Sequence, residues 1–222
     1  MRRSIVVLAV FALAMPLMAQ PSTMIPASAV WKMPDNFVTT AKAACQKSGG
    51  SPLEACLISQ MTKAGAPADA VEFSHTLYKL TGEMGILSGF HKSGKVDIGW
   101  VTYPLHASNM HGLLLLNGQP RIVNAEDLKS LDMQGLQQSP QFQDLKNQFP
   151  KAAVYPGDRD GQTWPNTQTG ASGGLQFIIG YPVRNGCPTC AHAGFALFTW
   201  NFDPSGKFKG TTFMGMTPAP LN

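Results

Sequence analysis

Apolar residues recur at helical spacing between residues 35 and 81. Asp35 can cap a first helix, and Pro67 begins a third one. Between them, Ser51 and Glu54 have the spacing of a capping box at the start of a second helix. The inward positions of the three segments are Phe37, Val38, Ala41, Ala44 and Cys45; Leu53, Cys56, Leu57, Met61 and Ala64; and Ala70, Phe73, Leu77 and Leu80. The pattern predicts three short helices.

Alternating apolar residues separated by turn signals replace the helical spacing after residue 84. The runs 84–90, 96–104 and 112–116 are rich in β-forming residues. In the middle run every second residue from Val96 to Thr102 faces one side, which predicts a strand with one well-buried face. Residues 117–120 (Asn-Gly-Gln-Pro) predict a tight hairpin into a strand at 121–123.

The second half of the chain predicts two more helices and four more strands. Asn124 can cap a helix at 125–132, and Ser139-Pro140 can open another that ends near Phe149. Strands are predicted at 152–155, 175–183, 195–202 and 208–216. Residues 157–173 are polar and without periodicity, and long loops of this kind are often functional or disordered.

Helices followed by hairpin-linked strands are typical of an α+β fold. We therefore expect N-terminal helices (about 35–81) to pack on a mainly antiparallel β-sheet, with two further short helices at about 125–149. An apolar content of 44% is enough for one core, so residues 35–222 should form a single α+β domain.

The N-terminus has the pattern of a secretory signal peptide. Arg2 and Arg3 precede an apolar run at 5–15, and Ala19 offers a small residue before the expected cut. The run is shorter than the roughly 20 apolar residues that span a membrane. We predict that residues 1–19 are removed, and that residues 20–34, rich in Pro, Ser and Ala, form a flexible arm.

An export signal of this bacterial style predicts a periplasmic or secreted protein. The first cysteine, Cys45, lies far from the expected cut, so a lipid anchor on a cysteine is not expected. Later segments lack the apolar length of a membrane span, and we expect a soluble mature chain without stable membrane insertion.

The low charge argues against nucleic acid as a partner. Only 14% of residues are charged, and removal of residues 1–19 takes away two arginines and no acid, which lowers the formal net charge from +4 to +2. So small a positive charge, without a basic run, does not predict nucleic-acid binding.

The four cysteines of an exported chain predict two disulfides. Proximity in sequence favours Cys45–Cys56, which would staple the first two helices, and Cys187–Cys190. Four cysteines allow three connectivities, so the local pairing is a hypothesis.

Cys187-Pro188-Thr189-Cys190 also allows two kinds of chemistry. The tetrapeptide resembles the active site of glutaredoxin-type proteins, which implies thiol–disulfide exchange. That reading needs a helix at the first cysteine, and the next predicted strand follows too soon to leave room for one. In the metal alternative, His192 would join both cysteines, with His106 or His111 as the fourth ligand. A disulfide clip is the interpretation that the surroundings favour.

Two loops are candidates for recognition. Residues 157–173 contain Asp158 and Asp160, a fragment of a calcium loop without its distal Glu, and Trp164, an aromatic that could anchor a partner or fold back on the sheet. Residues 184–194 contain the remaining candidates Asn185, Pro188, Thr189 and His192.

The sequence shows no strong catalytic motif and no cofactor motif, and we expect no cofactor. The first hypothesis is therefore a non-enzymatic exported module, of the binding or inhibitor type, for a periplasmic or envelope component. The alternatives are a thiol–disulfide oxidoreductase that uses Cys187 and Cys190, and a metal-binding module.

Overall fold

The computed structural model describes residues 24–46, 52–106, 111–157 and 164–218. The expected signal peptide (1–19) and the candidate residues Asp158 and Asp160 lie outside these ranges. Within them the chain is an α+β protein with two antiparallel sheets, which confirms the predicted fold class. The predicted sheet is divided in two, and this division creates the layers described below.

Helices occupy the N-terminal third of the chain and return briefly in its middle. Their bounds are α1 Phe37–Gln46, α2 Leu53–Lys63, α3 Ala68–Thr81, α4 Met133–Gln138 and α5 Pro140–Gln148. The helix predicted at 125–132 with Asn124 as its cap is wrong: a short 3₁₀ turn at Leu128–Ser130 stands there, and the unpredicted helix α4 follows it, capped by Asp132. Leu80, predicted to face inward, is 55% exposed near the end of α3. None of the helices among the described residues has the length and apolar character of a membrane span.

The strands form two sheets, of which the first follows the order of the chain and the second departs from it at β6. The first sheet contains β1 Ile86–His91, β2 Asp97–Thr102, β3 His111–Leu116 and β4 Ile122–Asn124, in that order. The second sheet contains β5 Ala152–Val154, β6 Asn166–Thr169, β7 Leu175–Asn185, β8 His192–Phe202 and β9 Phe208–Pro218. In it, β5 and β6 both pair with β7, and β8 lies between β7 and β9. The hairpin predicted between 116 and 121 is confirmed by the pairing of β3 with β4.

The two sheets pack face to face around the largest core. Side chains from β2 and β3 meet aromatic side chains from β7 and β8; the main contributors are Ile98, Trp100, Leu113, Leu115, Phe177, Ile179, Tyr181, Phe198 and Trp200. Burial of these side chains is the main stabilising term, at roughly 1.5–3 kcal/mol for each fully buried large apolar group. The sequence pattern did not predict that the two sheets pack on each other. Alternation of apolar and polar residues indicates that one face of a strand is buried, but it does not indicate which element covers that face.

Helix α3 covers the opposite face of the first sheet. Phe73 and Leu77 on α3 pack against Leu87, Val101 and Leu114. Because one face of the sheet packs on α3 and the other on the second sheet, every residue of β2 is buried. The prediction of a single buried face for this strand is therefore wrong.

The segment that precedes α1 is packed against the core over its described part. Ile25 and Trp31 are only 2% and 7% exposed. The backbone N–H of Trp31 donates to the Leu87 carbonyl at the outer edge of β1. Residues 24–34 thus differ from the flexible arm expected of them. Two apolar anchors in a Pro-, Ser- and Ala-rich stretch are enough to order it, since backbone hydrogen bonds complete the contact.

Helices α4 and α5 protect the free edge of β9. The Asp132 carboxylate accepts from the Gly135 N–H (2.9 Å) as a helix cap and from the Phe213 N–H (3.1 Å) of the strand. The Gln141 side chain accepts from the Met216 N–H (3.3 Å). Exposed strand edges are templates for unwanted pairing, and these contacts satisfy edge donors that would otherwise face solvent.

The Cys45–Cys56 disulfide staples α1 to α2 as predicted, across a separation of 11 residues. We expect the double variant Cys45→Ala/Cys56→Ala to lower the free energy of unfolding by about 2–3 kcal/mol, because the unfolded chain gains loop freedom. Urea denaturation followed by circular dichroism measures the change. The variant Cys187→Ala/Cys190→Ala, with a shorter loop, is the matched comparison and should lose less. Equal stability of the Cys45/Cys56 variant and the wild type would contradict the prediction.

Candidate functional site

The candidate recognition loop at 184–194 is the end of a long β-hairpin. Strands β7 and β8 are longer than predicted, and their pairing continues to Arg184 and His192. Only residues 186–191 remain as the connecting turn. The hairpin tip, defined here as residues 186–192, therefore projects from the second sheet on two paired strands.

A disulfide and a buried arginine fix the conformation of the hairpin tip. Cys187 is bonded to Cys190, and the Cys190 N–H also donates to the Cys187 carbonyl (3.2 Å). Arg184 is only 8% exposed, and its Nη1 donates to the Cys190 carbonyl (2.8 Å). Gly186 adopts φ 98°, a conformation in which a side chain would be strained. The turn is thus held by Arg184 at the end of β7 and by the disulfide across its own residues.

The recognition candidates of this loop are all exposed. Asn185 is one of them, and its Oδ1 also accepts from the Lys151 N–H (3.0 Å) beside β5. Pro188 and Thr189 are exposed at the apex of the turn. His192 is exposed too, with its ring 5.2 Å from that of Phe195. The surface that the tip offers to a partner therefore includes Pro188, Thr189 and His192.

The surroundings of Cys187 differ from those of a redox dithiol. A reactive first cysteine is activated by the N-terminus of a helix, whose free N–H groups and dipole lower the thiol pKa. Here β7 leads into a turn and β8 follows it, so the element after the motif is a strand. The hydroxyl of Thr189 lies 3.6 Å from the Cys187 sulfur, and both sulfurs are bonded to each other.

The histidines of the metal alternative are engaged elsewhere. His106 contacts Glu83 (Nε2 to Oε2, 3.0 Å), and His111 lies 3.4 Å from the Thr102 hydroxyl in the first sheet. His192 packs on Phe195 in the second sheet. Across the parts of the chain that the structure describes, His, Cys, Asp and Glu side chains do not gather in a group of three or more that could hold a metal ion.

The second candidate loop contributes a packed tryptophan and an unpredicted strand. Trp164 is half-buried with its ring 5.7 Å from that of Trp100 and 5.4 Å from that of His91, so it folds back on the first sheet. Residues Asn166–Thr169 pair with β7 as strand β6, where a continuous loop was predicted. All residues of β6 are exposed, so the strand carries no alternation of apolar residues that could reveal it.

A polar cavity near the end of the first sheet was missed by the sequence analysis. It measures about 550 Å³ and is lined by Thr81, Glu83, Asn124, Glu126, Asp127 and Lys129. Beside it lies Tyr103, whose buried hydroxyl makes no hydrogen bond with any described residue. Burial raises the pKa of Tyr103 above its usual value, and the carboxylates of Glu83 and Glu126 raise it further. These residues come from three separate segments, 81–83, 103 and 124–129, so no local pattern of the sequence reveals the cavity.

Comparison with known proteins does not assign the chain to a family. No protein-family model matches the sequence, and no curated protein or solved structure is significantly similar to it. The functional argument therefore rests on the chain's own residues.

Proposed function

We propose that this chain is an exported, non-enzymatic binding module that contacts a periplasmic or envelope protein through the hairpin tip. The observation that carries the proposal is the combination of rigidity and exposure at Pro188, Thr189 and His192. The tip is fixed by a disulfide and by Arg184, yet its apex side chains are exposed to solvent.

Rigidity of this kind favours binding because association costs conformational entropy. Each loop residue that is already ordered removes part of that cost, which is about 0.5–1.5 kcal/mol for each side chain immobilised at an interface. The long paired strands β7 and β8 place the ordered apex at one end of the second sheet. Disulfide-closed hairpins suit contact with a cleft or groove on a partner, as the inhibitor type of module requires.

Export is part of the proposal. Two disulfides are typical of proteins that fold in an oxidising compartment, and the periplasm is the compartment that the N-terminal sequence predicts. A partner on the same side of the membrane would meet the tip in its oxidised form.

The test is capture of partners from periplasmic extract by the immobilised mature protein. We expect Thr189→Arg to reduce the amount of captured partner by about tenfold or more, because a long charged side chain at the apex would clash with a complementary surface. Quantitative mass spectrometry of the eluates measures the change.

The β8–β9 turn provides a matched control. Pro204 is exposed at this turn, which is also rigid because the Asp203 carboxylate accepts from the Ser205 and Lys207 N–H groups (2.9 and 3.0 Å). The Ser205 hydroxyl and these backbone donors also hold the pKa of Asp203 below its usual value. Pro204→Arg should leave capture unchanged. Equal capture by wild type and Thr189→Arg, or no specific capture by the wild type, would refute the proposal.

A further inference from the structure

Another cavity is lined by helix α3 and by the segment that precedes α1. Its volume, about 430 Å³, lies in the range of small-molecule pockets, which is roughly 300–1,000 Å³. The lining comes from residues 24–26, from α3 and from the residue before β4. We call it the mixed-charge cavity, and the lining residues that matter here are Met24, Ile25, Asp69, Glu72, Phe73 and Arg121.

Groups of both charge signs line the mixed-charge cavity without pairing with each other. The carboxylates of Asp69 and Glu72 come from the first two turns of α3, and the guanidinium group comes from Arg121. Within the described residues, no ion pair joins Arg121 to either carboxylate. The Ser28 hydroxyl donates to Asp69, and the Thr76 hydroxyl donates to Glu72 (3.3 Å). The cavity thus presents a cation and two anions to one shared space.

Arg121 supplies the observation that points to a ligand. Its Nε is buried and has no hydrogen-bond partner among the described residues. The guanidinium group also forms no ion pair in that part of the chain. A guanidinium group carries five N–H donors, and burial of a charged group without an acceptor is unfavourable. The fold therefore holds in the cavity wall a cation that lacks an acceptor, and the carboxylate of a ligand would supply one.

The remaining wall of the mixed-charge cavity is largely apolar. Ile25 and Phe73 are each only 2% exposed, and the side chain of Asn117 binds the Ile25 backbone at both its N–H and its carbonyl. Met24, by contrast, is 62% exposed. Methionine is flexible and polarizable, so it adapts to the shape of an apolar group that packs against it. The cavity therefore offers an ordered apolar wall and one adaptable side chain.

We propose that the mixed-charge cavity binds a small zwitterion with an apolar side chain. Arg121 binds the carboxylate, because the planar fork of a guanidinium group matches the two carboxylate oxygens. Asp69 and Glu72 accept hydrogen bonds from the ammonium group, and the apolar side chain packs against Phe73 and Met24. This site belongs to the first sheet and α3, so it is separate from the hairpin tip of the second sheet.

A free α-amino acid and a short peptide carry the same pair of charged groups. The experiment therefore has two arms, isothermal titration of the full mature protein with L-leucine and with L-leucyl-L-leucine. We expect saturable binding of at least one of these zwitterions below about 10 mM. The arm that binds more tightly identifies the source.

Ligands that lack one of the two charges test each end of the site. Leucinamide keeps the ammonium group and lacks the carboxylate, whereas N-acetyl-leucine keeps the carboxylate and lacks the ammonium group. Each should bind the wild type about tenfold more weakly than leucine, because each loses one charge-assisted contact.

Substitutions assign the ends of the ligand to residues. Arg121→Gln should weaken the binding of leucine about tenfold and abolish its preference over leucinamide, because the carboxylate loses its partner. Glu72→Gln should reduce the preference for leucine over N-acetyl-leucine. Lys79→Gln also removes one positive charge, at an exposed position near the end of α3, and should bind leucine as the wild type does. Circular dichroism establishes that each variant is folded, and amide chemical shifts of the wild type show the site even if one variant does not fold.

Three results would overturn the proposal. They are the absence of saturable binding of both zwitterions, an unchanged preference for leucine over leucinamide in folded Arg121→Gln, and wild-type shifts that centre away from Glu72, Phe73 and Arg121. Failure here leaves the hairpin tip untouched, since partner capture is measured on other residues.

Discussion

Replacement of Trp200 by alanine is expected to lower the free energy of unfolding by about 3–5 kcal/mol, which is the usual cost of truncating a buried aromatic side chain. Trp200 is fully buried between the sheets, and its ring stacks 5.4 Å from that of Phe208. Its Nε1 donates to the Tyr181 hydroxyl (3.0 Å), which in turn donates to the Ala125 carbonyl (2.5 Å). The substitution therefore creates a cavity and breaks a buried hydrogen-bond chain.

Urea denaturation of the mature protein measures the effect. Tyr181→Phe is the comparison that separates packing from hydrogen bonding, because it keeps the ring and removes only the hydroxyl; we expect a loss of about 1–3 kcal/mol. Trp164→Ala, at a half-buried tryptophan on the sheet margin, should cost less than Trp200→Ala. A loss below about 1 kcal/mol for Trp200→Ala would show that the inter-sheet core is not the main stabilising layer.

Replacement of Asn117 by alanine is expected to cost about 3–4 kcal/mol, although it removes only a small polar side chain. The Asn117 Oδ1 accepts from the Ile25 N–H (2.7 Å), while Nδ2 donates to the Ile25 carbonyl (3.0 Å) and to Asp97 (2.8 Å). Asp97 is 2% exposed, so loss of this partner weakens the support of a buried carboxylate. In addition, Asn117 has φ 66°, which alanine adopts only with strain.

Asn117→Gly separates the two contributions. Glycine accepts the positive φ but makes none of the three side-chain hydrogen bonds, so this variant should recover only about 1–2 kcal/mol of the loss. Chemical denaturation again provides the measurement, and protection of the Ile25 amide from hydrogen exchange should fall in both variants. Full recovery in Asn117→Gly would mean that the contact between Asn117 and Ile25 does not stabilise the fold.

Local patterns explain why much of the fold was predictable. The spacing around Phe73 and Leu77 specified α3, and the Asn-Gly turn specified the hairpin between β3 and β4. The cysteine pairs, 11 and 3 residues apart, were favoured by proximity alone. Each of these features depends on residues that are neighbours in the chain, so the sequence displays them directly.

Features that depend on distant residues were not predictable. Residues 24–34 gave no helical or strand pattern, and their order comes from Asn117, far along the chain. Burial of β2 on both faces follows from the two layers that cover it, and its own sequence does not encode which layers these are. The polar cavity requires the end of α3 to meet the end of β4 and the segment after it, so its residues look unrelated in sequence.

The sequence predicted where the candidate loop lies along the chain, but it did not predict the conformation of the loop. The loop around Cys187 was recognised from its cysteines, whereas the hydrogen bond from the Lys151 N–H to Asn185 was not predicted. That contact was hidden because Lys151 and Asn185 meet only when β5 pairs with β7. Beyond this pairing, Pro188, Thr189 and His192 are exposed, and so is Asn185 beside it.

Site-specific photo-cross-linking in the periplasm tests the proposed contact most directly. A photoreactive phenylalanine analogue is placed at position 189 of the hairpin tip or at position 204 of the β8–β9 turn, both of which are exposed. We expect a discrete covalent adduct with a periplasmic or envelope protein from position 189 and none from position 204. No adduct from position 189, or the same adducts from both positions, would contradict binding through the hairpin tip.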